Sequence, residues 1–529
     1  MSRREVLAGA VGTGAAVAAL GLGGAALSEP ALAAGLQERR PRSVRVEPRA
    51  PSGHLDFVTR PDLRPPAVAV RVSSAFSFAG GRGHIFCAPK PPAAANPGSH
   101  RVHLGGLPDG ARQGLMIIDT SGELVWFRPL SSLDTIPFNF RVQTYKERPT
   151  LTWFAGTVRG GHATGGRYFL ADDSYSTIAT VGPTGPPCDL HEFLLTAEGT
   201  ALHTAYEDGG LSRRGLPLVI GHAQEVDVAT NELVFDWPCY PAVRPELSYF
   251  TPYGDYFHIN SIDLWPGPER NLLVSSRNTS AVYLVDRLTG RVLWRLGGKR
   301  SDFVLGPGAG FCFQHDARAL PDGSGVSIFD DASQPCPEQV ASGKVLKLDQ
   351  VAGEASLIRR YLHTDHELDV PSQGNCQLLA GGAAFVGWGF LPFFSAFGAG
   401  GEGNEAPLVL DGRLPDGVSS YRSFIFDWVG RPPRSELAFV VRRRGSGGDF
   451  SAWASWNGAT EVASWRVLAG PYAARLDVVA TVPKAGFETE IGFSRHGSRS
   501  FEAIALDARG RELGRSDLVE DDVRPRPSP

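Results

Sequence analysis

The sequence predicts an all-β protein: a six-bladed β-propeller followed by a small β-sandwich. Two observations carry this expectation. From about Pro66 onward, short runs of alternating apolar and polar residues are separated by turns such as "TSGE", "AEGT", "LTGR" and "PDGS", and no stretch has a helical stripe. Within those runs one hairpin plan recurs in "LMIIDTSGELVWF", "AQEVDVATNELVFDW", "VYLVDRLTGRVLWRL" and "VLKLDQVAGEASLIRRY": apolar strand, Asp, a turn with Gly or Asn, apolar strand. A second hairpin type, "DLHEFLLTAEGTALHTAYE", "YFHINSIDLWPGPERNLLVSSRN", "FQHDARALPDGSGVSIFDD" and "GNCQLLAGGAAFVGWG", alternates with the first and opens on a polar strand start. Two hairpins make a four-stranded blade, and a period of roughly 60 residues fits a propeller with long insertions.

In chain order, residues 1–33 read as an export leader. Arg3 and Arg4 precede an uncharged Ala/Gly/Val/Leu run to Leu27, and Ala31-Leu32-Ala33 forms a small-residue cleavage site. The paired arginines mark the twin-arginine type, which places the mature protein outside the cytoplasm. No later stretch is apolar and long enough to span a bilayer. Residues 34–66, charged and Pro-rich, form a linker or wrapping arm. Residues 67–430 form the propeller. Residues 431–520, with "SWNGATEVASWRVLAG" and "GFETEIGFSRHGSRSFEAIAL", read as a fibronectin-like β-sandwich, and 521–529 as a disordered tail.

A chain of 529 residues is long enough for two domains and a leader. Its net charge of -4 and 20% charged residues give no basic stripe, which argues against a nucleic-acid partner. Six cysteines in an exported chain allow fifteen pairings, and Cys312 with Cys336 is the one pair nominated.

The innermost strand of every blade lines the central channel, so repeats opening on one residue type aim it at one axis. Three successive units open on His191, His258 and His315; the fourth supplies Asn375 and Cys376. Asn260 shares a strand face with His258, and Arg277 reaches the same mouth from the paired strand. Asp189, Glu192, Asp316 and Arg318 flank the histidines and are candidates to orient them. Clustered imidazoles oppose one another's protonation, so at least one stays neutral and nucleophilic near pH 7. A guanidinium and a protonated imidazole then hold the oxygens of a tetrahedral anion, and another histidine moves the proton of a phenol. That set suits transfer of a sulfuryl group through a covalent intermediate.

The stretches "DLHEFLLTAEGTAL", "QEVDVATNELVFDW", "DYFHINSID", "LLVSSRNTSAVYLVD", "WRLGGKRSDF", "FQHDARAL", "GWGFLPFFSAF" and "SYRSFIFDWVGRPP" resemble the arylsulfotransferase family, in its branch common in actinobacteria and fungi. The resemblance implies a six-bladed propeller that passes a sulfuryl group from a phenolic sulfate ester to a phenol, with no phosphoadenosine cofactor, by way of a sulfohistidine. By motif the nucleophile is His315; His258, Asn260, Arg277 and His191 bind sulfuryl oxygens or move protons. The chain has no G-x-x-x-x-G-K-[ST] phosphate loop. It departs from the branch at "FCFQHDA", where a Trp is usual, and at Phe329-Asp330-Asp331, where "FDN" is usual. Two other readings stay open: a metal-dependent enzyme using the histidines with Cys188 and Cys312, and a secreted, non-catalytic binding propeller.

Overall fold

Hairpin punctuation in the sequence becomes strand geometry in the computed structural model. In each repeat of the first type the Asp carboxylate caps its own turn. Asp119 accepts from the backbone N–H of Ser121 (2.8 Å), Asp227 from Ala229 (2.9 Å) and Thr230 (2.8 Å), Asp286 from Leu288 (2.9 Å) and Thr289 (2.8 Å), and Asp349 from Ala352 (2.8 Å). The Gly or Asn that follows takes the left-handed conformation the turn needs: Gly122, Asn231, Gly290 and Gly353 all have positive φ.

Among the described residues these hairpins assemble into six sheets of four or five strands, antiparallel except where Val304–Leu305 runs parallel to Glu354–Leu362. Taken by their opening strands in chain order, the first sheet starts with Ile136–Tyr145, the second with Cys188–Leu195, the third with Ile259–Leu264, the fourth with His315–Ala319, the fifth with Asn375–Leu378 and the sixth with Ser423–Phe426. The sixth draws on both ends of the region: Ser423–Phe426 pairs with His84–Cys87, followed by Gly114–Asp119 and Leu124–Pro129. Opening strands of the first four sheets pack in succession, Asn375 hydrogen-bonds Ser423, and Ser423–Phe426 lies against Ile136–Tyr145. The result is a β-propeller-like ring. Residues 437–520 form two further sheets around one core that includes Phe450, Ala452, Trp465, Val467, Phe501 and Ala503.

The structure describes residues 51–520 except 75, 79–82, 92–106, 131–134, 213–214, 216, 251–253, 334–339, 364–367, 402 and 446–447. The chain divides into Met1–Val46 and one compact unit, Glu47–Pro529. The expected leader, the first part of the arm and the tail lie outside the described residues. The described part of the arm wraps: Thr59 N–H donates to Glu488 at 2.7 Å, Arg60 pairs with Glu436 at 2.7 Å, and Phe57 stacks near Phe487. Among the described residues, no helix is long and apolar enough to cross a membrane.

At the centre of the ring lies a buried ionic network. Glu192 receives Arg141 from the first sheet (2.8 Å), Arg318 from the fourth (2.5 Å) and Arg422 from the approach to the sixth (3.3 Å). Arg318 also binds Asp316 at 2.6 Å. Burial alone would raise the Glu192 carboxyl, but the guanidiniums of Arg318, Arg422 and Arg141 outweigh it and hold it down at about 2. Removing that carboxylate leaves buried Arg141 without its anion and Arg318 and Arg422 sharing Asp316. Glu192→Gln is therefore expected to destabilise the fold by about 3–5 kcal/mol, read as a lowered unfolding temperature.

Candidate active site

The opening strands of the first, third and fourth sheets break their regular pairing where the polar residues begin. The register shifts between Phe138 and Arg141, between Ile259 and Ser261, and between His315 and Arg318. At or beside these bulges Asn139, His258 and Asp316 have positive φ, a costly conformation for residues with a Cβ. The bulges turn the local chain so that side chains leave the alternation of a plain strand and face the axis.

Three of the histidines then meet carboxylates. His191 Nδ1 lies 2.8 Å from Asp189 Oδ2, His258 Nδ1 2.5 Å from Asp255 Oδ2, and His315 Nδ1 2.5 Å from Asp331 Oδ2. The His191 and His258 ring centroids are 4.6 Å apart. Tyr421 joins the group, 5.7 Å from His191 and 6.4 Å from His315 between ring centroids. So the structure brings His191, His258 and His315 together, as the repeat positions predict.

His315 has a defined tautomer. The Gln373 backbone N–H donates to its Nε2 at 3.2 Å, so Nε2 carries the lone pair and the ring proton sits on Nδ1, facing Asp331. Burial, and then the positive charge of Arg277, push its basicity well below the usual histidine range, so the ring is neutral. Burial pushes the Asp331 carboxyl up, Arg277 opposing. His258 is lowered to about 4, chiefly by burial, with Asp255 opposing and His191 and His162 adding to the depression.

Arg277 follows the strand Leu272–Ser276, and its backbone N–H donates to His258 O at 3.0 Å, which puts its guanidinium at the same mouth. Its Nη1 and Nη2 bind Asn278 Oδ1 (2.9 Å) and Pro371 O (3.1 Å), and it lies over the Phe313 ring. Asn260 has another geometry than a sulfuryl ligand requires. Its Nδ2 donates to Gln314 O at 2.6 Å, which latches the third sheet to the fourth, and the atom left without a partner is the acceptor Oδ1. An anion needs a donor there, so Asn260 acts on the backbone that carries His315. Asn139 does the same for the second sheet, and Asn375 for the sixth.

Of the flanking charges, Asp189 orients a histidine; Glu192, Asp316 and Arg318 belong to the central network below. Sequence reasoning missed Asp255 and His162 as site residues and noted Asp331 only as a departure in the pocket wall. Asp255 stands three residues before His258, and "VRGGHATGG" offered a histidine on a Gly-rich turn.

Several buried polar atoms here have no hydrogen-bond partner among the described residues: Arg277 Nε, Tyr421 OH, His162 Nδ1 and Asp255 Oδ1. Orphaned buried donors cost about 1–3 kcal/mol each, so a cluster of them marks a place where a ligand or ordered water completes the set. A separate cavity of about 720 Å³, lined by Gln143, Leu194, Arg318, Gln377 and Phe424, has none of the four histidines in its lining.

Of the two cysteines in the metal-ligand alternative, one is already bonded elsewhere. Cys312 is disulfide-bonded, and its nominated partner Cys336 lies outside the described residues. Cys188 is a free buried thiol pushed up to about 12 by burial. Cys87 and Cys239 are likewise pushed up to about 12, and Cys376 is also free and buried. Ellman titration of the native protein at pH 8 is expected to leave these four thiols unreacted and to release them on denaturation.

Among solved structures, the chain is similar to a protein of unknown function from Bacteroides caccae, at 12% identity over 65% of this chain and 99% of that one, TM-score 0.36. It is also similar to the Cps50 (Swd1) β-propeller domain of Myceliophteria thermophila, at 12% identity over 66% and 90%, TM-score 0.33. A third, at 7% identity over 74% and 97% with TM-score 0.33, is a catalytically inactive virginiamycin B lyase from Staphylococcus aureus. None of the curated proteins compared with the chain matches it. Residues 141–401, which carry His191, His258, Arg277 and His315, match the model of the arylsulfotransferase (ASST) family, and that match supports the arylsulfotransferase family for this chain.

Proposed function

We propose that the chain is a phosphoadenosine-independent aryl sulfate sulfotransferase, built as a six-bladed propeller with a C-terminal sandwich and exported by the twin-arginine route. It moves a sulfuryl group from a phenolic sulfate ester to a phenol through a sulfohistidine. The observation that carries this reading is the state of His315: neutral, its proton fixed on Nδ1 toward Asp331, its Nε2 lone pair held only by the Gln373 N–H. A neutral imidazole with an oriented lone pair is a nucleophile.

In the first half-reaction, Nε2 of His315 is released from the Gln373 N–H and attacks sulfur, the N–S bond forms as the S–O bond to the phenol breaks, and the positive charge developing on the ring favours the ionised form of Asp331, against burial, across the Nδ1–H bond. Arg277 holds sulfuryl oxygens with its Nε–H, a buried donor that has no partner among the described residues. The phenolate that leaves takes its proton from solvent, and His258 or His191, its Nδ1 held by a carboxylate, accepts the proton of the acceptor phenol at Nε2 as that oxygen attacks sulfur and the N–S bond breaks. Asn260 supports this by fixing the strand that carries His315.

A metal-dependent reading keeps one observation in its favour. His162, Asp255 and His258 place one ligand atom each within 4.8 Å of one another, and so do His162, Asp189 and His191. Elemental analysis separates the two: stoichiometric metal required for turnover would replace the sulfohistidine route.

Incubation with a chromogenic phenyl sulfate is expected to leave a sulfuryl adduct on His315, seen by peptide mass mapping at neutral or alkaline pH, with ping-pong kinetics. His315→Ala should abolish the adduct and lower turnover by about 10⁴-fold or more. Retained turnover in that variant sinks the assignment. Arg277→Lys keeps charge but loses the planar fork, and a loss of about 10²–10³-fold in kcat is expected. Asp331→Asn frees the ring to take the other tautomer, and steady-state rates should fall by about 10²-fold or more.

A further inference from the structure

His162 is the histidine that no repeat position predicts. It follows the left-handed pair Gly160 and Gly161 in the hairpin joining Arg148–Arg159 to His162–Ala171, an extension of the first sheet. Its ring centroid lies 5.1 Å from His258, 6.1 Å from His191 and 4.3 Å from Tyr206. Its side chain is 16% exposed, against 5% for His191, 8% for His258 and 1% for His315, so it is the outermost of the four.

The two nitrogens of this ring face different carboxylates. Nε2 lies 3.0 Å from Asp255 Oδ2, the same oxygen that holds His258 Nδ1, and Nδ1 lies 4.0 Å from Asp189 Oδ1, whose carboxylate holds His191 Nδ1. The order is His191, Asp189, His162, Asp255, His258, hydrogen-bonded at every link but His162 to Asp189, which is a charge contact at 4.0 Å. Resting on the sulfotransferase reading for its chemical consequence, we propose that His162 is a positioning residue, a strut between Asp189 and Asp255 that keeps both carboxylates aimed at Nδ1 of His191 and His258, so that their Nε2 atoms are aimed to accept the phenol proton.

Electrostatics follow the same geometry. Burial works against a charge on His162, yet Asp255 and then Asp189 outweigh it and raise the group to about 9. One imidazolium thus lies between two anions, flanked by two further imidazoles and the Tyr206 ring. Its charge helps hold Asp189 and Asp255 ionised and helps keep His258 unprotonated. Because the folded value lies above the ordinary value of about 6.5, the stability it contributes is complete below that pH and is lost as pH rises through about 9.

The test is histidine titration by NMR on the full mature chain, parent against His162→Gln and His162→Lys, with turnover of a phenyl sulfate measured across pH in parallel. In the parent, one imidazole should stay charged to about pH 9, and that signal should vanish in both variants. In His162→Gln the titration of His258 should rise by about one pH unit, because a neighbouring cation is gone, and the acid limb of kcat/KM should move with it. His162→Lys, which retains a cation, should hold His258 low. In His162→Gln, kcat should fall about 10-fold or more with KM nearly unchanged, since the proton carriers lose their alignment. A lowered unfolding temperature with His258 titrating as in the parent would make His162 a mere pin for its hairpin and overturn the proposal. Absence of sulfuryl transfer by the parent would refute the activity alone, because the titrations read the strut without substrate.

Discussion

Convergence of Arg141, Arg318 and Arg422 on Glu192 is the constraint from which the site follows. Residues from the first, second and fourth sheets, and from the approach to the sixth, meet at one carboxylate that water does not reach. The network also works on the chemistry beside it: Arg422 is among the groups that depress the basicity of His315. The same network that holds the sheets together therefore helps keep the candidate nucleophile neutral.

A second layer of order comes from pairing every histidine of the site with a carboxylate. His191 has Asp189, His258 has Asp255, His315 has Asp331, and His162 lies between two of them. In each of the first three pairs the carboxylate takes Nδ1, and at His315 the Gln373 N–H takes Nε2. Bulges make the pairing possible. Without the register shifts at Asn260 and Asp316, the alternation of a regular strand would send neighbouring polar side chains to opposite faces. Backbone strain at His258 and Asp316 is thus placed where side-chain aim matters.

Much of this was legible in the residues, for reasons that can be stated. The Asp-turn-Gly hairpins announce themselves because an Asx turn is a local interaction, satisfied within four residues. Histidines at matching positions of successive units were readable because a ring of equivalent strands maps sequence period onto a common axis. Asp255, Asp331 and His162 were not readable that way. Asp331 reaches His315 across a strand pair, and His162 comes from an extended hairpin outside the repeat. Asn260 was read by its face and neighbours, but its amide was claimed by Gln314 of the adjoining sheet, a contact that exists only once the sheets are placed side by side. Cys188 and Cys312 have metal-ligand spacing to His191 and His315, yet one is a buried thiol and the other is oxidised.

By itself, then, the sequence determined the β class, the hairpin turns and the matching repeat positions of His191, His258 and His315, since each rests on short-range turn chemistry or on repetition. Tertiary structure decided which carboxylate each imidazole meets, which tautomer His315 holds and where the buried charge accumulates. Those depend on distances between sheets, and electrostatic coupling in a buried site is set by separation and desolvation, neither of which is encoded at any single position along the chain.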